Sequence, residues 1–382
     1  AGHILPEEGW ETLEKPENFR CPQAVLRVIN RIRTEDDQLE QTRGRHIVLN
    51  GEDVPVEGSA RVLILPADDR RQERLEEARR WLADQDADEG WLEEEDEQAL
   101  RLLVLVHRMA AARLGFPNLY GALNDKAPEK LKSGLIDGTA WVVRPFLSYL
   151  LPVALARLGG REFELMRLLR KNCPRLQPDA LAAVDTAGLL NDLQGQTGQL
   201  VAMLEVGSGS RIGDVVRFVR HSNLIAFDDR YVELIDLHAC MADPVAEPAT
   251  DNAALRFMQC DASELWGYRK YIEKMSPFAT QQGIKGAEFD KVIVVVDDQE
   301  GRTNTFSYGK YFGVTPPSAT DQGHIDARRD SVIDRTRRLF YVCCSRALSD
   351  LAVVIFAENT AEMSKALQAK GFFEAESLYV FD

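Results

Sequence analysis

The sequence lacks the features that mark several familiar classes of protein. No stretch reaches the roughly 18 uninterrupted apolar residues that a membrane helix needs, because the most apolar segment, 141–158, contains Arg144, Pro145 and Pro152. The N-terminus shows neither the basic region nor the apolar region of a secretory signal. No phosphate-binding loop of the form GxxxxGK followed by Ser or Thr occurs in the 382 residues. We therefore expect a cytoplasmic chain without a membrane partner that does not bind nucleotide phosphates through such a loop.

Cysteine spacing and charge narrow the classes further. The six cysteines form neither a CxxC pair nor a Cys/His cluster with zinc spacing, so we expect reduced core thiols and no metal ligands. The formal net charge of -15 counts against a simple nucleic-acid binder, which usually carries a basic surface. Nine carboxylates lie within residues 84–97, and this composition predicts a solvated linker or loop.

The outer thirds of the chain alternate between apolar runs and amphipathic helical patterns, which predicts a parallel α/β sheet. The middle third, by contrast, has helical patterns separated by Gly, Pro and Asn, and we interpret it as an inserted helical domain. Residues 300–330 are rich in Gly, Ser, Asp and Pro and are predicted to be mostly loop. The predicted strands are 46–49, 61–65, 100–108, 289–298 and 351–356, and the principal helices of the outer thirds are 23–33, 68–84 and 331–347.

Three short segments stand out as carriers of chemistry. They are NFRCP at 18–22, ahead of the helix that contains Asn30, TQQGIKGAEFD at 280–290, and RRLFYVCCSRA at 337–347. In the second, Gly283 and Gly286 would let the backbone approach a ligand closely, and charged side chains follow at the edge of a strand, where α/β proteins commonly bind ligands. Taken singly, each segment also fits an ordinary turn or a surface arginine at a helix end.

Together and in this order, the three segments resemble motifs IV, V and VI of the UvrD/Rep-type superfamily 1 DNA helicases. The family patterns are NYR or NHR, then TxHxxKGLEF, then RRLxYVxxTRA. The resemblance covers both outer thirds of the chain and implies a RecA-like parallel-sheet domain, called 2A, interrupted by a mainly helical insertion, called 2B. The implied domains are 1–116 for the first part of 2A, 117–270 for the insertion and 271–382 for the second part.

The resemblance also implies roles at an ATP site. Phe19 matches the aromatic residue that stacks on adenine, although a core Phe beside a helix start is the alternative. Arg20 matches the arginine that reaches the γ-phosphate, and Gly286 and Glu288 match positions near the nucleotide sugar. Arg346 matches the arginine finger, whose guanidinium neutralises charge that develops on the transferred phosphoryl group.

A second set of matching positions concerns DNA. The resemblance implies that Thr280, Gln282 and Lys285 contact DNA, which would be single-stranded or partly duplex. Gln282 replaces the more usual histidine and can still donate a hydrogen bond to phosphate.

Further DNA contacts have weaker support. Trp266, Tyr268 and Tyr271 could stack bases, with core packing as the alternative, and the basic run at 167–175 also fits a solvated helix end.

In the family, the phosphate loop lies in a first motor domain that precedes motif IV. Here motif IV begins at residue 18, so the sequence predicts that this chain starts near the junction between two motor domains. ATP with Mg²⁺ would then bind between the first domain and this one. The chain is thus predicted to be the C-terminal part of an ATP-dependent DNA helicase or translocase, inactive when isolated.

Two other interpretations stay open. One is a non-catalytic regulatory or protein-interaction module built from a helicase half. The other is a stand-alone nucleotide-binding enzyme that uses Asp297 and Asp298, which the missing phosphate loop disfavours, so we predict that these two acids merely end a strand.

The sequence around motif V resembles an outlying UvrD-like branch more than the housekeeping repair helicases. Some members of such branches work beside OLD-type nucleases in phage defence. A nuclease or a repair protein is therefore a candidate partner.

Overall fold

The computed structural model describes residues 15–93, 96, 98–181, 185–240, 252–273, 278–280, 286–301 and 305–382. The chain forms two compact units. The first, called the sheet unit, comprises Ala1–Ala110 and Met275–Asp382, and the second, called the helical unit, comprises Ala111–Lys274.

All ten strands of the described residues belong to the sheet unit. They are β1 Glu17–Asn18, β2 Thr42–Arg43, β3 His46–Leu49, β4 Glu52–Pro55, β5 Ser59–Pro66, β6 Leu100–Val104, β7 Phe278–Thr280, β8 Phe289–Val296, β9 Ala347–Ala357 and β10 Leu378–Val380. Six of them form one sheet in the order β10-β5-β9-β8-β6-β7, and every neighbouring pair is parallel.

The helices are distributed over both units. In chain order they are α1 Gln23–Thr34, α2 Arg71–Asp86, α3 His107–Arg113, α4 Pro117–Asn124, α5 Glu129–Asp137, α6 Leu151–Leu158, α7 Glu162–Asn172, α8 Pro178–Leu181, α9 Thr186–Leu204, α10 Ile212–His221, α11 Asp229–Ala239, α12 Ala253–Gln259, α13 Glu264–Ile272, α14 Asp298–Gly301, α15 Tyr308–Phe312, α16 Ala319–Asp326, α17 Val332–Cys344 and α18 Thr360–Lys370. Single turns of other helix types occur at Glu89–Leu92, Phe146–Leu150, Pro174–Leu176 and Ala375–Ser377. Among the described helices, none is both long and apolar enough to cross a membrane.

The central strands of the sheet are buried on both faces. The run Leu351–Ala357 within β9 and the run Val292–Val296 within β8 consist wholly of buried residues. This is the pattern of a parallel sheet covered by helices on both sides, and it explains why these strands appear as continuous apolar runs in the sequence. The predicted α/β class is confirmed, and the six-stranded parallel sheet is consistent with a RecA-like domain.

One predicted strand has a different environment. The segment 46–49 is a strand, but it pairs antiparallel with β4 in a separate two-stranded hairpin, outside the parallel sheet. The turn residues Asn50 and Gly51 have φ of 54° and 87°, which is the backbone of a tight hairpin turn. Val48 is 76% exposed, so the apolar residues of this strand do not belong to the hydrophobic core.

The prediction of mostly loop for residues 300–330 was wrong for its described parts, which contain α15 and α16. Both helices are short and begin at serine caps, Ser307 and Ser318, whose side chains accept backbone N–H groups. Because these short helices lie among polar capping residues, Gly and Pro, the composition of the segment is that of a loop, and the helices are not visible in it.

The acidic run 84–97 was also predicted incorrectly in part. Its first residues end α2, Glu89–Leu92 forms a short helix, and Trp91 is completely buried. Asp86 accepts hydrogen bonds from the Trp91 indole at 2.9 Å and from Arg61 of β5 at 2.5 and 2.7 Å. At least one acidic residue of this run, Asp86, therefore stabilises the sheet unit.

The helical unit has a hydrophobic core of its own. Within it, Tyr268 donates from its hydroxyl to Leu135 at 2.9 Å and its side chain is fully buried. The Trp266 indole donates to Leu204, and Tyr271 packs on Phe116 with 5.6 Å between ring centroids. These three aromatic residues pack within the helical unit, as the core alternative predicted. The assignment of this unit as a 2B insertion stays a prediction.

All six cysteines are free thiols. Five of them are buried, in agreement with the predicted core thiols, whereas Cys240 at the end of α11 is exposed.

Candidate functional site

The first motif lies in a turn that Asn18 shapes. The Asn18 carboxamide oxygen accepts backbone N–H groups from Arg20 and Cys21, both at 2.9 Å. Its amide nitrogen donates to Gln41 at 2.8 Å, on the segment that leads into β2. Asn side chains commonly close turns in this way, and here the turn presents the side chains of residues 19 and 20 just before α1.

The Arg20 side chain joins the first motif to the second. Its Nε lies 2.6 Å from Oε1 of Glu288, across 268 positions of sequence. The two side chains keep 31% and 41% of their surface exposed. An ion pair this open to water contributes little stability, so the guanidinium can exchange its carboxylate partner for another anion.

The third motif adds a buried arginine next to this pair. Arg346 follows the C-terminus of α17, and its side chain donates to the carbonyls of Val342 and Ala287 at 3.0 and 3.2 Å. Among the residues that the structure describes, no carboxylate lies within ion-pair distance of Arg346. Burial and, after it, the positive charge of Arg20 lower the pKa of Arg346. The described residues thus provide no direct counter-charge for this guanidinium, and an anion would supply one.

The three motifs meet at the amino end of the sheet. Arg346 immediately precedes β9, and its carbonyl accepts the backbone N–H of Phe289, the first residue of β8, at 3.0 Å. Glu288 immediately precedes β8. Ligands of open α/β sheets usually bind at the carboxyl ends of strands, so the arrangement differs from that general expectation.

The two remaining nucleotide positions are accessible. Gly286 has a φ of +84°, and a Cβ built on it would meet no atom of the described residues within 4 Å. Phe19 is 60% exposed, and the alternative of a core phenylalanine is therefore wrong. The Arg43 guanidinium lies over its ring, 4.7 Å from the centroid. Sequence reasoning did not identify Arg43, because its contact with Phe19 depends on the pairing of β1 with β2. It also missed the turn-forming role of Asn18, for which the residue type itself was the available signal.

The predicted DNA positions separate from this cluster where they are described. Thr280 ends β7 and is in register with Val104 of β6, which is in register with Val295 of β8. Val295 lies six residues beyond Phe289, which corresponds to roughly 20 Å along a strand. Thr280 is therefore near the opposite end of the sheet from Glu288. Gln282 and Lys285 lie outside the described residues.

Asp297 and Asp298 follow β8 directly, as predicted for a strand end. Asp297 is buried and pairs with Arg71 at 2.7 Å. Asp298 accepts the Ser307 hydroxyl at 2.8 Å and the Gly309 backbone N–H at 2.9 Å. Both carboxylates thus have structural partners, and no group of acids, histidines or cysteines in the described part of the chain could hold a metal ion.

These features define an α/β protein with a parallel sheet and arginines gathered at one of its ends. No protein-family model matches the chain. The chain is similar to the Gabija protein GajB of Bacillus cereus strain HuB5-5, with 23% identity over 295 residues. The match covers 69% of this chain and 40% of that protein, so the chain spans less than half the length of this relative.

Proposed function

We propose that the chain is the second motor domain of an ATP-dependent DNA helicase or translocase of the UvrD/Rep type. It would supply Arg20 and Arg346 to an ATP site whose phosphate-binding half belongs to a first motor domain. The observation that supports this most is the buried Arg346 guanidinium, which lacks a carboxylate partner in the described structure and lies beside Arg20. Two guanidiniums that repel each other in one small region favour a polyanion such as a triphosphate.

Each side chain has a distinct task in this proposal. Arg346 stabilises charge on the transferred phosphoryl group, because its planar guanidinium presents several donors to phosphate oxygens. Arg20 exchanges Glu288 for the γ-phosphate. Phe19 stacks on adenine, while Gly286 and Glu288 face the sugar.

The two arginines act only when the first motor domain carries ATP against them. Arg346 and Arg20 therefore contribute to the transition state rather than to binding alone. Mg²⁺ would be held mainly by the first domain, as the resemblance to the helicase family implies.

DNA would contact the chain near the carboxyl end of β7, at Thr280 and in the segment that holds Gln282 and Lys285. The net charge of -15 requires this contact to be local. The separation of roughly 20 Å between Thr280 and the start of β8 gives the proposal a DNA site apart from the nucleotide site. A nuclease or repair partner is part of the same proposal.

The test compares variants of the full-length protein that contains this chain. We expect Arg346→Ala to lower kcat for DNA-stimulated ATP hydrolysis by about a thousandfold or more, as for other arginine fingers, and Arg20→Ala to lower it as well. Arg27→Ala is the matched control, because Arg27 is an exposed arginine paired with Glu57 at 2.7 Å outside the cluster. ATP hydrolysis by Arg346→Ala at the wild-type rate, or ATP hydrolysis by the isolated chain, would refute the proposal.

A non-catalytic interaction module has one observation in its favour. Three consecutive apolar residues of β3, Ile47, Val48 and Leu49, are 44%, 76% and 56% exposed, and exposed apolar clusters commonly bind proteins. Under this alternative, Arg346→Ala leaves the full-length ATPase unchanged, whereas substitution of Val48 by Asp abolishes binding of a partner protein.

A further inference from the structure

Phe19 does not stand alone at the surface. The Arg43 guanidinium lies over its ring at 4.7 Å from the centroid. Most of the Phe19 side chain nevertheless stays accessible, at 60% of its surface. With one ring face covered by Arg43 and most of the side chain open, the other face is available for stacking.

The backbone holds Arg43 in an unusual conformation. Its φ is +73°, a region that L residues other than Asn and Asp rarely adopt. Two contacts fix it there: the pairing of Asn18 with Arg43 in the β1/β2 ladder, and a hydrogen bond of 2.7 Å from the Gln23 side chain to the Arg43 carbonyl. Non-glycine residues in this conformation concentrate at functional sites.

No ion pair with the described residues holds the Arg43 guanidinium away from the Phe19 ring. Within the described ranges, no carboxylate lies at ion-pair distance from it. Exposed arginines such as Arg27 and Arg70, in contrast, pair with glutamates at 2.7 Å. The contact with Phe19 is therefore the main one that the Arg43 guanidinium makes.

We propose that Arg43 is a positioning residue for nucleobase binding: it backs the Phe19 ring and presents the opposite face to a planar base. This inference rests on the proposed nucleotide site and adds the residue that orients its stacking platform. The physical reason is conformational. An exposed ring that is already held on one face loses less rotational freedom when a base stacks on the other. Arg43 touches the ring and not the phosphates, so its effect depends on Phe19 and on a base in the ligand.

The magnitude follows from the strength of such contacts. Exposed cation–π pairs correspond to about a two- to fivefold change in binding constant. We expect Arg43→Ala to weaken binding of a non-hydrolysable ATP analogue by that factor and to raise KM for ATP. The kcat should be nearly unchanged, because a contact with the base is equal in the ground and transition states.

The experiment is a double-mutant cycle in the full-length protein. Affinities for the ATP analogue and for inorganic tripolyphosphate are measured by calorimetry for wild type, Arg43→Ala, Phe19→Ala and the double variant. We expect the Arg43→Ala effect to disappear in the Phe19→Ala background, and tripolyphosphate to bind wild type and Arg43→Ala equally. Arg43→Lys should keep part of the wild-type affinity, because an ammonium also interacts with a ring face but lacks the plane of a guanidinium. Arg27→Ala is the control for loss of one surface charge.

Each contrary outcome has a clear meaning. Equal losses of affinity for the ATP analogue and for tripolyphosphate would show a direct charge contact with phosphate and overturn the inference. An unchanged affinity of Arg43→Ala for the ATP analogue would overturn it too. If wild-type protein binds no ATP analogue at all, the proposed function fails instead, so the two failures are distinguishable.

Discussion

Substitution of Trp91 tests whether the acidic segment stabilises the sheet unit. Trp91 is completely buried, its indole donates to Asp86 at 2.9 Å, and the Lys291 ammonium lies 5.5 Å from the ring centroid. Lys291 belongs to β8, two residues after the first residue of that strand. A solvated acidic linker would contain no such contact, so the substitution separates the two descriptions.

The expected loss is worked from the side chain that is removed. Truncation of a buried tryptophan to alanine costs about 3–5 kcal/mol of unfolding free energy through lost burial and the cavity left behind. Trp91→Phe retains most of the apolar volume and loses the indole donor. A hydrogen bond to a charged acceptor contributes about 1.5–3 kcal/mol. Asp86 keeps Arg61 as a partner, so we expect the Phe variant to lose about 1–2 kcal/mol.

Hydrogen exchange is the appropriate assay, because a chain with two units need not unfold in a single step. Exchange of the amides of β5 and β8 under native conditions reports on the sheet unit alone. Urea denaturation followed by circular dichroism gives a second value. A loss below about 1 kcal/mol for Trp91→Ala would contradict a stabilising role of this segment, since that result is expected of an exposed ring.

Further predictions concern stability at four other positions. His238 is buried, with no partner for its Nε2 in the described part of the chain, and burial lowers its pKa from the ordinary 6.5. The free energy of unfolding should therefore be highest above pH 6.5 and fall as the pH drops from that value towards the folded pKa. The melting temperatures of wild type and His238→Gln, measured between about pH 8 and pH 5, should converge at high pH. The same pH dependence of the melting temperature in both proteins would contradict this. Gly267→Ala should destabilise the helical unit by about 1–3 kcal/mol, because a Cβ there would lie 2.0 Å from the Leu114 carbonyl oxygen. Gly198→Ala, on α9, where a Cβ would meet no described atom within 4 Å, should instead be neutral or stabilising by up to about 1 kcal/mol. Equal urea midpoints for the two variants would contradict the close contact at Gly267. Glu288→Gln should change the unfolding free energy by less than about 1 kcal/mol, since its ion pair with Arg20 is 31% and 41% exposed, and a larger loss in urea denaturation would show that the pair is structural.

The sequence predicts the sheet well where strands are buried on both faces. β8 and β9 are continuous apolar runs because helices cover them, and this pattern needs no tertiary information. The same rule is wrong for β3, because His46–Leu49 has the residue types of a core strand but lies in an exposed hairpin. The Asn50–Gly51 turn was the available signal for that hairpin.

The site was predictable only as separate segments. Motif resemblance identifies Arg20, Glu288 and Arg346 one by one. Their meeting at the amino ends of β8 and β9 depends on strand order, which crosses from β5 to β9 and then to β8. The pairing of Arg43 with Phe19 leaves no trace in the spacing of the sequence, because it arises from a two-residue ladder.

Binding of a transition-state analogue is the sharpest test of the proposed role of Arg346 at an ATP site. The measurement compares the affinity of the full-length protein for ADP with aluminium fluoride and for ADP alone, in wild type and in Arg346→Ala. If Arg346 stabilises the transferred phosphoryl group, the variant should lose about a thousandfold in affinity for the analogue while its affinity for ADP stays nearly constant. Equal affinity of wild type and variant for the analogue would contradict the assignment of Arg346 to an ATP site.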